Sequence, residues 1–158
     1  MSARDLPAQL ADADQIIDSI WREFLRPPAR VTVTQWSEKN RVLSGKDSSE
    51  PGPYRVARTP YAREPMDCLS HSSDTEGVVL MWGAQTSKTT IGSNWLGYLV
   101  DTNPGAIMIV QPTLELAKRY SRQRLSPMIQ DSPTLRKKVS TKRSRDQANT
   151  TLMKDFEG

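Results

Sequence analysis

The sequence predicts an α/β fold with a parallel sheet, and three features carry that reading. Val78 to Trp82 is a continuous apolar run suited to a strand buried on both faces, and Ala106 to Val110 is a second. Lys88 to Val100 between them reads as a helix. Asp101-Thr102-Asn103-Pro104-Gly105 supplies the turn back. Strand, loop, helix, turn, strand in this order forms a right-handed βαβ unit.

Upstream, Ile16, Ile17, Ile20, Trp21, Phe24 and Leu25 recur at helical spacing after the acidic stretch Asp12 to Asp14, and that helix stops at Pro27-Pro28. Its apolar stripe is most simply core packing, with a partner-docking helix as the alternative. A short helix around Thr34 to Leu43 follows, then a Gly/Ser/Pro connector from Ser44 to Pro53. Thr59-Pro60 is a helix opening, with Thr as N-cap, and Pro65 demands a kink or a late start. Downstream, Gln111-Pro112-Thr113 leaves the carboxyl end of the second strand, the edge where ligands bind in open α/β sheets. Thr113 caps a helix running to about Met128, and Thr150 to Phe156 is the remaining strand candidate. The divisions expected are residues 1–53, an N-terminal helical segment with linker, and residues 54–158, an incomplete nucleotide-binding domain.

Composition bounds the function. Leu, Ile, Val and Phe make up about a fifth of the 158 residues, near the level at which folding becomes marginal. The net charge is only +4, so self-repulsion does not hold the chain open. No apolar run approaches the ~20 residues of a membrane span, and no secretory leader is legible, which predicts a cytosolic protein. Cys68 stands alone, which excludes an internal disulfide framework and a cysteine-based zinc site. From Lys118 to Arg145 ten basic residues face one acid, Asp131. Such a block attracts polyanions through phosphate contacts, and it is equally a solvated helix face followed by a basic tail.

The segment from Trp82 to Thr89, where the first strand gives way to the helix, reads as a phosphate loop: Gly83, Ala84, Gln85, Thr86, Ser87, Lys88, Thr89. In such a loop backbone amides wrap phosphates at a helix N-terminus, the lysine reaches the outer phosphates and the following hydroxyl binds Mg²⁺. Lys88 and Thr89 fit those two roles, with Thr90 one position late for the metal. Trp82 occupies the first glycine position and Ser87 the last, so a glycine-like backbone at Ser87 would cost about 1–3 kcal/mol. A polar turn with a surface lysine is the alternative. Tyr61 and Arg63 offer an aromatic face and a guanidinium for a purine base, or ordinary packing. No apolar strand ending in an acid follows Val110, so the hydrolytic half of an ATPase site is not found.

Taken together these residues resemble the N-terminal part of the bacteriophage terminase large subunit of the lambda-like GpA family. The markers are Gln35-Trp36-Ser37, Leu43-Ser44, Pro51-Gly52-Pro53-Tyr54-Arg55, Arg58-Thr59-Pro60-Tyr61, Met66-Asp67, the Gly83 to Thr89 loop, Asp101 to Gly105, Val110 to Ala117 and Arg124 to Ile129. The resemblance implies a partial P-loop NTPase fold and an ATP-driven motor that packages viral double-stranded DNA into a procapsid, with ATP and Mg²⁺ as cofactors. It further implies a terminase small subunit and the procapsid portal as partners, action in the host cytoplasm, and, in longer relatives, oligomers and a C-terminal nuclease. Lys88 would bind the outer phosphates, Thr89 the magnesium, and Tyr61 and Arg63 would lie in the adenine segment. The DNA contacts would come from Lys118, Arg119, Arg122, Arg136, Lys137 and Lys138. Relatives often carry Gly where Ser87 stands and Gln where Ala62 stands. On this reading the chain is an amino-terminal fragment inactive in hydrolysis alone. The alternatives are a non-enzymatic DNA- or partner-binding module and a helicase-like translocase fragment.

Overall fold

The computed structural model describes residues 15–22, 25, 30–45, 50–139 and 150–156. Helix α1 covers 15–22. Its apolar stripe, Ile16, Ile17, Ile20 and Trp21, faces solvent, so these residues are not core. Phe24, Pro27 and Pro28 lie outside the described residues.

Helix α2, Val33–Asn40, is closed at its start by a capping box: Thr32 Oγ1 accepts from Gln35 N–H at 3.2 Å, and the Gln35 side chain accepts from Thr32 N–H at 3.1 Å. It ends sooner than the sequence suggests. The backbone turns extended at Arg41, and strand β1, Val42–Leu43, pairs antiparallel with β2, Gly52–Pro53, which lies in the expected connector. Gly52 has φ +128°, a conformation only glycine adopts freely, and it lets β2 close on β1.

Pro60 opens a single 3-10 turn, Pro60–Ala62, and Thr59 makes no side-chain cap. Helix α3, Arg63–Cys68, starts late enough that Pro65 falls in its first turn, where a missing N–H costs nothing. Helix α4, Lys88–Thr102, matches the predicted helix and extends it by two residues. Thr113 caps α5, Leu114–Tyr120, as expected, its hydroxyl accepting from Leu116 N–H at 3.2 Å. A π turn, Ser121–Leu125, continues into α6, Ser126–Asp131, and α7, Pro133–Lys138, follows.

The core gathers Val33, Trp36, Tyr54, Val56, Met66, Ile91, Leu96, Tyr98, Met128 and Leu135. Helix α2 crosses α4 at Gly97, where an added Cβ would lie 2.5 Å from Trp36 Cη2. The Trp36 indole N–H donates to Asp101 Oδ2 at 2.7 Å, and Lys138 Nζ sits 3.0 Å from Asp101 Oδ1 and donates to the Asp101 carbonyl at 2.7 Å. One carboxylate thus ties α2, α4 and α7 together.

The predicted parallel sheet differs from what is observed. Among the described residues the sheet consists of β1 and β2 alone, and neither Val78 to Trp82 nor Ala106 to Val110 is paired. Neither run is buried on both faces, and none of their residues is fully buried. Leu80, Trp82 and Ile107 pack on the core, while Val79, Met81 and Met108 are 85%, 90% and 85% exposed. A strand buried on both faces needs neighbours in its sheet and a layer on each side. Here no sheet neighbour engages either run among the described residues. Thr150 to Phe156 contributes only an isolated bridge, Phe156 to Val139.

Candidate functional site

The loop from Gly83 to Ser87 joins the first apolar run to α4. Ser87 caps the helix in the left-handed region, φ 61° and ψ 9°, and Gln85 is left-handed too, with φ 58°. Thr86 between them is not, so the sign of φ alternates along the loop. Alternation of this kind is the backbone pattern from which anion-binding concavities of N–H groups are built. The strain foreseen at Ser87 is therefore present. Thr86 Oγ1 donates to the Gly83 carbonyl at 2.7 Å, and Lys88 Nζ donates to the carbonyls of Trp82 and Gly83 at 2.6 and 2.5 Å. The lysine, at the first turn of α4, folds back over the loop that precedes it.

A cleft of about 480 Å³ opens over this loop. Gln85, Thr86, Ser87, Lys88 and Thr89 all line it, as does Thr90. Arg41, Leu43, Ser93 and Arg124 complete the wall, and among the described residues no carboxylate lines it. The positive end of α4 adds to the field of the three cations. Arg41 is 4% exposed, held by Nη1 donating to the Val42 carbonyl at 2.7 Å. Across α4, Lys88 and Thr89 also border a groove between that helix and the run from Ile107 to Gln111.

Gly83, Ala84, Tyr61 and Arg63 do not line the cleft. Tyr61 is exposed, and its ring meets Trp82 edge-on with centroids 5.4 Å apart, so it adjoins the start of the loop. Arg63 is exposed at the head of α3, its carbonyl 3.5 Å from Thr34 Oγ1. Arg41 and Arg124 are additions that sequence spacing does not signal, since they lie 47 residues before and 36 after Lys88. Among the described residues no cluster of three or more His, Cys, Asp or Glu could hold a metal, and no helix is long and apolar enough to cross a membrane.

Of the basic residues, Lys118, Arg119 and Arg122 are exposed along α5 and the π turn, with Arg119 Nε donating to Gln123 Oε1 at 3.0 Å. Arg136 and Lys137 are exposed on α7. Lys138 is half-buried and committed to Asp101. Lys142, Arg143 and Arg145 lie outside the described residues.

Residues 48–158 match the family described as phage terminase large subunit gpA, ATPase domain. The chain belongs to the terminase gpA ATPase-domain family. No curated protein and no solved structure matches it significantly. The match spans the whole Gly83 to Thr89 loop and both apolar runs. Membership in the terminase family points to DNA packaging and implies nucleotide use. Several of the terminase-like markers are structural residues here: Tyr54 and Met66 are core, and Asp101 is the carboxylate that joins three helices.

Proposed function

We propose that this chain is the N-terminal portion of a terminase large subunit, the ATP-driven motor that moves phage double-stranded DNA into the procapsid, and that Gly83 to Thr89 is its P-loop, of Walker A type. The observation that carries the reading is the left-handed Ser87 at the head of α4, opening onto a cleft lined by cations and hydroxyls. A serine holds that strained conformation only where the surrounding loop over-determines it, and functional loops are where such strain concentrates.

In this reading the N–H groups of the loop cradle the phosphates of ATP. Lys88 exchanges the Trp82 and Gly83 carbonyls for phosphate oxygens, and the exposed Thr89 hydroxyl is the Mg²⁺ ligand. The donor set fits a triphosphate: cationic side chains, hydroxyls and a helix N-terminus. When bound, Mg²⁺ supplies neutralisation of charge on the outer phosphates. Tyr61, against Trp82, and Arg63 form the adenine side.

The unpaired backbones of Val78 to Trp82 and Ala106 to Val110 support completion of a parallel sheet by further strands, and their exposed side chains support a further layer over it. The acidic strand end needed for hydrolysis, and the nuclease of longer relatives, belong to the remainder of a longer protein. We assign residues 54–158 to the ATPase portion, with residues 1–53 before it. DNA contacts fall to Lys118, Arg119, Arg122, Arg136 and Lys137, with Lys138 contributing only outside its ion pair. The small subunit and the portal are the partners, and the host cytoplasm is the site of action.

Lys88→Ala tests the assignment. Mg-ATP affinity should fall at least tenfold, because a charge-assisted contact to phosphate is lost (~1.5–3 kcal/mol). Unchanged affinity refutes the P-loop. The exposed apolar stripe of α1 favours a second role for this segment, docking of a partner subunit.

A further inference from the structure

Trp82 puts a bulky ring where a phosphate loop has glycine, and no part in holding phosphate follows from that ring. Its contacts point elsewhere. The ring is half-buried against the core and meets the exposed ring of Tyr61 edge-on, with centroids 5.4 Å apart and planes at 81°. Its carbonyl accepts from Lys88 Nζ at 2.6 Å. The same residue therefore touches the aromatic ring assigned to the base and the lysine assigned to the phosphates.

The backbone beneath Tyr61 is fixed from several sides. Ala62 is wholly buried, and its N–H donates to the Thr59 carbonyl at 2.9 Å to close the 3-10 turn Pro60–Ala62. The Thr34 hydroxyl donates to the Arg63 carbonyl at 3.5 Å, and the buried Tyr54 phenol is hydrogen-bonded to Thr59. The Tyr61 ring is different. It is 50% exposed, and the ring contact that restricts its torsions comes from Trp82. Whichever ring supplies the edge, such a contact leaves at least one face of Tyr61 uncovered by Trp82, and bases stack on faces of this kind. A ring already held in place costs less ordering when a ligand arrives.

We propose that Trp82 is a positioning residue for a nucleobase: it holds the Tyr61 ring as the stacking surface and, as the residue from which the loop to Lys88 departs, sets that surface relative to the phosphate end. The proposal rests on the nucleotide-site reading above. The ligand class is a nucleoside triphosphate, taken by stacking at one end and by charge at the other.

The test is calorimetric titration of Mg-ATP, and of Mg-tripolyphosphate as a ligand without a base, into the full chain, with circular dichroism confirming retained helix. Trp82→Leu should weaken Mg-ATP about threefold to tenfold, as Tyr61→Leu should, and leave Mg-tripolyphosphate within about twofold. Trp82→Phe keeps an aromatic edge and should hold Mg-ATP within about threefold of wild type. The double variant Trp82→Leu, Tyr61→Leu should bind Mg-ATP no more weakly than Tyr61→Leu alone, because Trp82 acts through that ring. Equal loss for both ligands, no loss for Mg-ATP, or additive losses in the double variant overturns the proposal. Should Trp82→Leu lose helix, Tyr61→Leu at the exposed partner decides: loss confined to Mg-ATP supports the proposal, and wild-type affinity overturns it. If Lys88→Ala binds both ligands as the wild type does, the nucleotide site itself is refuted.

Discussion

Gly97→Ala probes the tightest contact in the fold. The new Cβ would stand 2.5 Å from Trp36 Cη2, 2.9 Å from Trp36 Cζ3 and 3.3 Å from Leu135 Cδ1. The indole has little room to retreat, because it is 2% exposed and its N–H is held by Asp101 at 2.7 Å, one turn further along the same helix as Gly97. Overpacking of this kind costs about 1–3 kcal/mol. Displacing the ring also weakens a hydrogen bond to a carboxylate, worth about 1.5–3 kcal/mol when fully lost. Against these stands a gain of about 1 kcal/mol in helix propensity. The net expectation is destabilisation by about 2–4 kcal/mol, read as a lower urea midpoint with unchanged slope. Gly92→Ala, on the same helix with no atom within 4 Å of the added Cβ, is the control and should stabilise by about 1 kcal/mol. Trp36→Phe removes the six-membered edge of the indole, so the Gly97→Ala cost should shrink in that background. Gly97→Ala at or above wild-type stability would refute the packing argument.

Ser87→Gly should stabilise the chain by about 0.5–1 kcal/mol, because relief of the left-handed strain outweighs the greater freedom of glycine in the unfolded state. A lower thermal midpoint for that variant would show the serine side chain to be contributing more than its backbone costs. Burial raises the Tyr54 phenol above the ordinary tyrosine value, with Glu38 and Tyr61 adding smaller pushes upward and a hydrogen bond with Thr59 opposing. The unfolded chain then releases this proton first, so the folded state loses stability as pH rises from about 10 through the raised value. Urea midpoints measured across that range should fall more steeply for wild type than for Tyr54→Phe, and parallel curves would contradict the burial argument.

Local signals were legible where they are self-contained. Thr113 and its helix, α4 from Lys88, and the misfit of serine at position 87 each follow from side chains within a turn of one another. The loop proposed to bind phosphate was legible as a candidate for the same reason, since its lysine, hydroxyl and helix start are contiguous. Thr59 failed as a cap because the chain enters a 3-10 turn there, at φ −136° and ψ 67°. The stripe from Ile16 to Trp21 has helical spacing, and spacing alone does not say what covers it.

What the sequence by itself determined is the order of helices as far as α5, the loop that ends at Lys88, and the family to which the chain belongs. These depend on neighbouring residues, caps and spacing. Tertiary structure alone decided that the two apolar runs remain unpaired, because a strand's hydrogen bonds are made by another segment and cannot be read within the run itself. It also decided that Lys138 serves Asp101, and that Arg41 and Arg124 face the cleft of Lys88. Their approach is set by the crossing of α2 on α4 at Gly97 and the Ser93–Tyr120 contact, which join positions far apart in the chain.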